Sequence, residues 1–435
     1  MSLTAPPPPL GIERPSLPET HYVDNRIYTD PTIFAEEQER LFRRTWSFVC
    51  LASEVARPGD FRTTTVADVP LVVVRDQAGV LHAFVNACRH RGMPVVRDPA
   101  GRCAGFQCIY HLWTYGLDGH LEGIPYPEGY RAVGLRKEEL GLVPVRVEAA
   151  CGLVFVCLDP TTEPLRDYLG DALAFLEQPL GERELEVFHY LVSEIRTNWK
   201  LRTDNTRDYY HTLMHAFNRK TSRRDGRSPY RWSVLRNGHA VFSAWDALDA
   251  SYETAYDRAG FAARDTHRFP GLRTNEWVLA AIFPNLAINV RTTACRLDRV
   301  VPLAPGRMLL ETRGIGLKDD TPEVRAARIR DYNVLWGPVG RNQPEDVVAW
   351  EGQWDCFNRG GARYSIFARE EDGAPFDEES VRTFYRTWER WVGRRAAAPE
   401  EPAAASSPAQ PPASARGRKR ARPAAAGAGG ASRHG

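Results

Sequence analysis

The sequence predicts an α+β fold in two parts, an all-β unit followed by a sheet set among long helices. Three observations predict it. Residues 47–160 are short strand-like runs separated by turn residues. The second half mixes longer alternating runs with amphipathic helical stretches. Between them, residues 198–215 read NWKLRTDNTRDYYHTLMH. At helical spacing this puts Asp204, Asp208, His211 and His215 on one polar stripe, where a core helix would carry apolar residues.

Composition narrows the function classes. A chain of 435 residues is long enough for two or more domains. A net charge of +2 gives no electrostatic basis for nucleic-acid binding. No apolar run approaches the roughly 18 residues of a membrane span, and the proline-rich start has no apolar signal core. The expectation is a soluble, cytoplasmic protein with neither nucleic acid nor membrane as partner. In that setting the eight cysteines favour metal ligation or burial over disulfides.

The elements follow in order. Residues 1–46 form an arm and a helix counted with the catalytic part, with Asp30 as N-cap and Pro31 at the first helical position. In the all-β unit of residues 47–160, runs 71–74 and 81–85 flank a hairpin turn with Asp76 and Gly79. Runs 142–147 and 153–158 flank Cys151 and Gly152 in the same way. Residues 161–395 form the larger α+β unit. Residues 159–181 and 183–192 read as connections into it, 233–246, 277–302 and 308–317 as its strands, and 322–332, 344–357 and 381–392 as its helices. The basic run 219–227 reads as a solvated loop. Residues 396–435, rich in Ala, Pro, Ser and Gly, read as a disordered tail.

Two motifs carry chemistry. Cys88-x-His90 and Cys108-x2-His111 are separated by 17 residues, each in a loop after a strand-like run. One Cys and one His from each loop is the donor set of a Rieske [2Fe–2S] centre, in which imidazoles replace thiolates on one iron. Zinc knuckles favour two to four residues between paired ligands, so Cys-x-His fits them badly. Gly92, Gly116 and Gly119 supply tight loop geometry, and Cys103, Cys151 and Cys157 read as core residues. The second motif is His211-x3-His215. A zincin reading is poor, because Thr212 stands where that chemistry needs Glu.

Together the two motifs, with Asn198-Trp199-Lys200 and Asp204-Asn205-x2-Asp208, resemble the catalytic α subunit of Rieske non-haem iron ring-hydroxylating oxygenases. The resemblance covers residues 20–395. It implies an all-β Rieske domain joined to a helix-grip catalytic domain. It implies a [2Fe–2S] cluster on Cys88, His90, Cys108 and His111, and a mononuclear Fe(II) on His211, His215 and Asp346, with O2 as co-substrate. Asp346 is chosen for the Glu345-Asp346 pair at a helix start, with Glu351 and Asp355 as fallbacks. The resemblance makes Asp208 a catalytic bridge between His211 and His111 of a neighbouring copy. It further implies a homotrimer or α3β3 assembly, with or without a small β subunit. Electrons come from NAD(P)H through a separate reductase or ferredoxin.

The family usually has four residues between its histidines where this chain has three, Thr212–Met214, and its second cluster loop has Pro and Gly where this chain has Ile109 and Leu112. The expected activity is hydroxylation or dihydroxylation of an aromatic substrate, in particular an aromatic acid. The alternative is a monooxygenase or demethylase acting on a non-aromatic or quaternary ammonium substrate. A simple electron carrier would leave the second half without a task. Arg291, Arg296 and Arg299 read either as receivers of a substrate carboxylate or as ordinary surface residues.

Overall fold

The computed structural model describes residues 13–181, 183–215, 231–244, 267–273, 276–337, 340, 342–372 and 374–400. The basic run 219–227 and residues 401–435 lie outside them.

The first half builds an antiparallel sheet in the order Ser47–Leu51, Leu153–Cys157, Pro144–Ala150, Leu81–Val85, Val69–Arg75, Asp60–Val66, Ala100–Arg102. A smaller sheet of Phe106–Gln107, Thr114–Tyr115 and Leu121–Gly123 shares an apolar core with it. Hydrophobic alternation explains the packing: Val72, Val74 and Phe84 turn toward the core that holds Cys88, Cys108 and Trp113. The predicted hairpin forms, with Asp76 accepting from the backbone of Val80 at 2.7 Å.

The second half is a seven-stranded sheet ordered Leu185–Ile195, Arg307–Leu317, Ala294–Ala304, Leu286–Arg291, Trp277–Ile282, Ala240–Ala244, Arg231–Val234. Helices Pro322–Trp336, Gln343–Asn358 and Glu379–Val392 accompany it. No described helix is long and apolar enough to cross a membrane.

Three sequence expectations are corrected. Residues 159–181 are more than a connection, since they contain helices Leu165–Leu169 and Ala172–Leu180. Residues 183–192 are not a connection either but part of an 11-residue edge strand, whose exposed Tyr190, Leu191 and Val192 blur the alternation. The tail does not begin at 396. Ala396, Ala397 and Ala398 are buried, and the Asp24 amide donates to the Ala396 carbonyl at 2.9 Å. Small alanines pack where composition suggested only solvent.

Early and late elements of the described residues are tied together. Tyr22–Asp24 pairs with Tyr364–Ile366. Fully buried Glu37 accepts from Trp199 at 2.8 Å, Lys200 at 2.6 Å and Trp388 at 2.7 Å. A buried carboxylate is tolerable only with such partners. Burial pulls Lys200 below its ordinary pKa, and Glu37 opposes that pull. One apolar cluster joins Val73 and Val156 of the first sheet to Trp199, Phe283 and Trp388. Truncating a tryptophan in such a core costs about 3–5 kcal/mol.

Candidate active site

The two cluster loops have the same backbone design. Cys88 N donates to the Met93 carbonyl and Gly92 N to the Cys88 carbonyl, each at 2.8 Å. Cys108 N and Leu112 N donate to Trp113 and Cys108 carbonyls, each at 2.9 Å. The fifth residue of each loop is left-handed: Gly92 at φ 74° and Leu112 at φ 58°. Glycine adopts this freely, whereas leucine does so at a cost.

The loops bring all four predicted donors together. Cys88 and Cys108 are buried, and the His90 and His111 rings, half-buried, lie 4.5 Å apart. Trp113 stacks on His90 at 4.8 Å, and the Tyr115 hydroxyl lies 3.3 Å from the Cys88 sulfur. Buried His90 Nδ1 has no hydrogen-bond partner among the described residues. Burial, helped by His111 and Arg91, holds His90 below its ordinary pKa. Two buried thiols, and an imidazole kept neutral with an unengaged nitrogen, fit a [2Fe–2S] cluster.

The predicted histidine helix is broken. Trp199–Arg207 is helical and capped by Asn198. Asp208 is extended, Tyr210–Met214 is one 3-10 turn, and His215 leaves it extended. The polar stripe therefore splits. Asp204 points into the core, bonded to Tyr28 and Tyr385 at 2.8 Å, and burial raises its pKa to about 7. His211 and His215 turn the other way, into a cavity of about 550 Å³ counted with its mouth.

There they meet Asp346 from the start of the Gln343–Asn358 helix. Asp346 Oδ1 lies 3.7 Å from His211 Nε2 and 3.4 Å from His215 Nε2, and one donor atom from each residue lies within 4.8 Å of the others. Neither separation is a hydrogen bond, but both suit donors around one ion at about 2 Å. The far ring nitrogens are fixed. His215 Nδ1 meets Glu345 at 2.6 Å, and His211 Nδ1 meets the Asp208 carbonyl. Each Nε2 lone pair is thereby left for a metal. Burial lowers the His215 pKa, against the pull of Asp346 and Glu345. The set fits a facial triad.

Other sequence candidates fall elsewhere. Asp355 pairs with Arg196 on the surface at 3.2 Å, and Glu351 accepts from the Arg196 amide, so neither reaches the triad. The Asp208 carboxylate accepts from Tyr210 N at 2.6 Å and His211 N at 3.3 Å, and burial raises its pKa. Arg207 makes no pair with it, bonding instead to the Gly238 carbonyl at 2.8 Å. Arg299 is buried between the two sheets on Thr64, Thr65 and Glu311. Arg291 and Arg296 line the triad cavity and are not surface residues.

Sequence reasoning gave no role to Asn205, Glu345, Trp277 or Trp336. Asn205 donates to Asp346 at 3.2 Å. Its place three residues before Asp208 was a usable signal. The cavity tryptophans come from a distant strand and helix and left none.

Comparison with known proteins agrees. The Rieske [2Fe-2S] domain family matches residues 45–137, and the ring hydroxylating alpha subunit catalytic domain matches residues 182–394. The chain is 42% identical to 2-aminobenzenesulfonate 2,3-dioxygenase subunit alpha of Alcaligenes sp, over 87% of this chain and 95% of that one. It is 36% identical to methanesulfonate monooxygenase hydroxylase subunit alpha of Methylosulfonomonas methylovora, over 89% and 95%. Naphthalene 1,2-dioxygenase from Rhodococcus sp. shares the fold, with a TM-score of 0.72 at 24% identity over 85% and 94%. The chain thus belongs to the ring-hydroxylating Rieske oxygenases as a catalytic α subunit, an iron–sulfur oxidoreductase that uses a [2Fe–2S] cluster, mononuclear iron and O2.

Proposed function

We propose that this α subunit hydroxylates or dihydroxylates an aromatic acid, with electrons from NAD(P)H delivered by a separate reductase or ferredoxin. Cys88, His90, Cys108 and His111 hold the cluster, and His211, His215 and Asp346 hold the iron. Residues 47–160 form the electron-entry unit and residues 161–395 the oxygenating one. When bound, the cluster relays single electrons and the mononuclear iron activates O2.

The chain's own residues arrange the reaction. Glu345 and the Asp208 carbonyl hold the two imidazoles by their Nδ1 atoms, and Asn205 orients the Asp346 carboxylate. Trp232, Trp277 and Trp336 wall the cavity with flat apolar surface and displace water. Asp208 joins His211 to His111 of a neighbouring copy in a trimer, a role supported by its place three residues before His211.

One observation carries the substrate reading: the triad opens onto tryptophans and arginines together. A quaternary ammonium head would meet Arg291 and Arg296 as like charges, which disfavours that alternative. Two relatives are named for sulfonates, and another, 30% identical over 85% of this chain, is an anthranilate 1,2-dioxygenase large subunit of Burkholderia cepacia. The test is O2 uptake and product analysis with purified α subunit, a compatible reductase and NADH. Aromatic sulfonates or carboxylates should stimulate uptake with matching hydroxylated product. Turnover of carnitine-like cations with none of aromatic acids would overturn the reading.

A further inference from the structure

Three guanidinium groups line the triad cavity: Arg202, Arg291 and Arg296. Two are already engaged. Asp298 pairs with Arg202 and lies 3.0 Å from Arg296 Nε. Arg291 differs. It has no carboxylate partner among the described residues, whereas Asp298 faces both of the others; its buried Nε, like that of Arg296, makes no hydrogen bond there. It is held by aromatic faces instead, with its guanidinium carbon 4.1 Å from the Trp277 ring centre and 5.7 Å from that of Trp336. Trp277 is fixed in turn by Asn289, which accepts its indole N–H at 2.8 Å, and by Tyr209 at 5.4 Å.

The cavity lining sets Arg202, Arg291 and Arg296 beside Asp208 and Asp346, with Asp298 paired to Arg202 and against Arg296, so that of the three cations Arg291 is the one with no paired carboxylate among the described residues. A partly buried guanidinium without a counter-ion is costly, and its cost is relieved when an anion arrives. A guanidinium is a rigid planar fork, and its paired N–H donors match two oxygens of one oxyanion.

We propose that Arg291 is the specificity residue of this oxygenase, clamping the sulfonate or carboxylate of the substrate while the aromatic ring lies toward the triad. The proposal rests on the aromatic-acid reading and deepens it. Arg296, held by Asp298 and 4.9 Å from the Trp336 ring centre, positions that tryptophan and does not take the anion itself.

The test uses the full α subunit with its redox partners and Arg291→Gln, Arg291→Lys and Arg296→Gln variants. Calorimetric binding and steady-state turnover are measured in two arms, with 2-aminobenzenesulfonate and with 2-aminobenzoate. Arg291→Gln should weaken binding and raise KM by about 30-fold or more in at least one arm, with kcat within about threefold. The arm with the larger loss names the head group. Arg291→Lys should recover only part of the affinity, since it keeps charge without the fork. An unchanged cluster spectrum and near-ultraviolet dichroism show that each variant is folded. Wild-type affinity in Arg291→Gln, or an equal loss in Arg296→Gln, would overturn this assignment while leaving the aromatic-acid reading intact. Failure of the wild type to bind or oxidise either acid would instead remove that reading.

Discussion

Asn205 donates its side-chain amide to Asp346 across 3.2 Å, although 141 positions separate them. The bond holds the carboxylate oxygen that faces both histidines. Removing such a support costs about 10–100-fold in metal affinity. Asn205→Ala should therefore lose mononuclear iron on dialysis more readily than wild type, with the cluster spectrum unchanged. Asp346→Ala should lose that iron outright, and Asp355→Ala should keep it. Iron analysis per chain distinguishes the three.

Asp208 offers a separation of charge from shape. Its carboxylate caps the turn carrying His211 through the Tyr210 and His211 amides. Asp208→Asn retains an oxygen that can accept those bonds, whereas Asp208→Ala does not. If the charge links two metal sites across subunits, Asp208→Asn should slow re-oxidation of the reduced cluster by about 100-fold or more, with iron retained. Stopped-flow re-oxidation with substrate and O2 is the measurement. A wild-type rate in Asp208→Asn would reduce the residue to a cap.

Gly92 and Leu112 occupy equivalent left-handed positions. Gly92→Ala should destabilise the loop by about 1 kcal/mol. Leu112→Gly relieves strain but adds chain entropy, for a net gain below about 1 kcal/mol. Thermal loss of cluster absorbance should fall in the order Leu112→Gly, wild type, Gly92→Ala, from most to least stable.

His239 gives a pH dependence with a defined sign. It is fully buried and satisfied as a neutral ring, accepting from Phe283 N at 3.0 Å and donating to the Tyr168 carbonyl at 2.9 Å. Burial lowers its pKa from 6.5 to about 4. The folded form therefore binds fewer protons than the unfolded one. This contribution to stability is full above pH 6.5 and is lost as pH falls through 4, by about 3 kcal/mol in all. Urea unfolding of wild type should show that loss across the window, and His239→Gln should show a flatter profile.

The parts of the site that were legible in the sequence share one property. Cys88, His90, Cys108 and His111 announce themselves because each pair sits within four residues, so spacing alone encodes geometry. His211 and His215 were equally visible, but their backbone was not. Spacing of four suits a helix, whereas the chain extends at Asp208 and recoils in a 3-10 turn, which divides Asp204 from the histidines. Asp346 needed a resemblance, because its approach is set by tertiary packing. Arg291 was undecidable, since a strand residue faces one of two sides and only Trp277 and Trp336 reveal which. The edge strand Leu185–Ile195 was lost because its exposed apolar residues erase the period-two signal.

Glu37 sets an order of events during synthesis. Its carboxylate leaves the ribosome 163 residues ahead of Lys200 and 351 ahead of Trp388. Until both arrive, burying it would strand a charge, so the N-terminal segment must wait in water. The sheet between Ser47 and Cys157 pairs its strands only with one another, although Glu54 within that stretch likewise waits for Arg313. The segment around Glu37 therefore reaches its native burial only after the Glu379–Val392 helix brings the Trp388 indole to it.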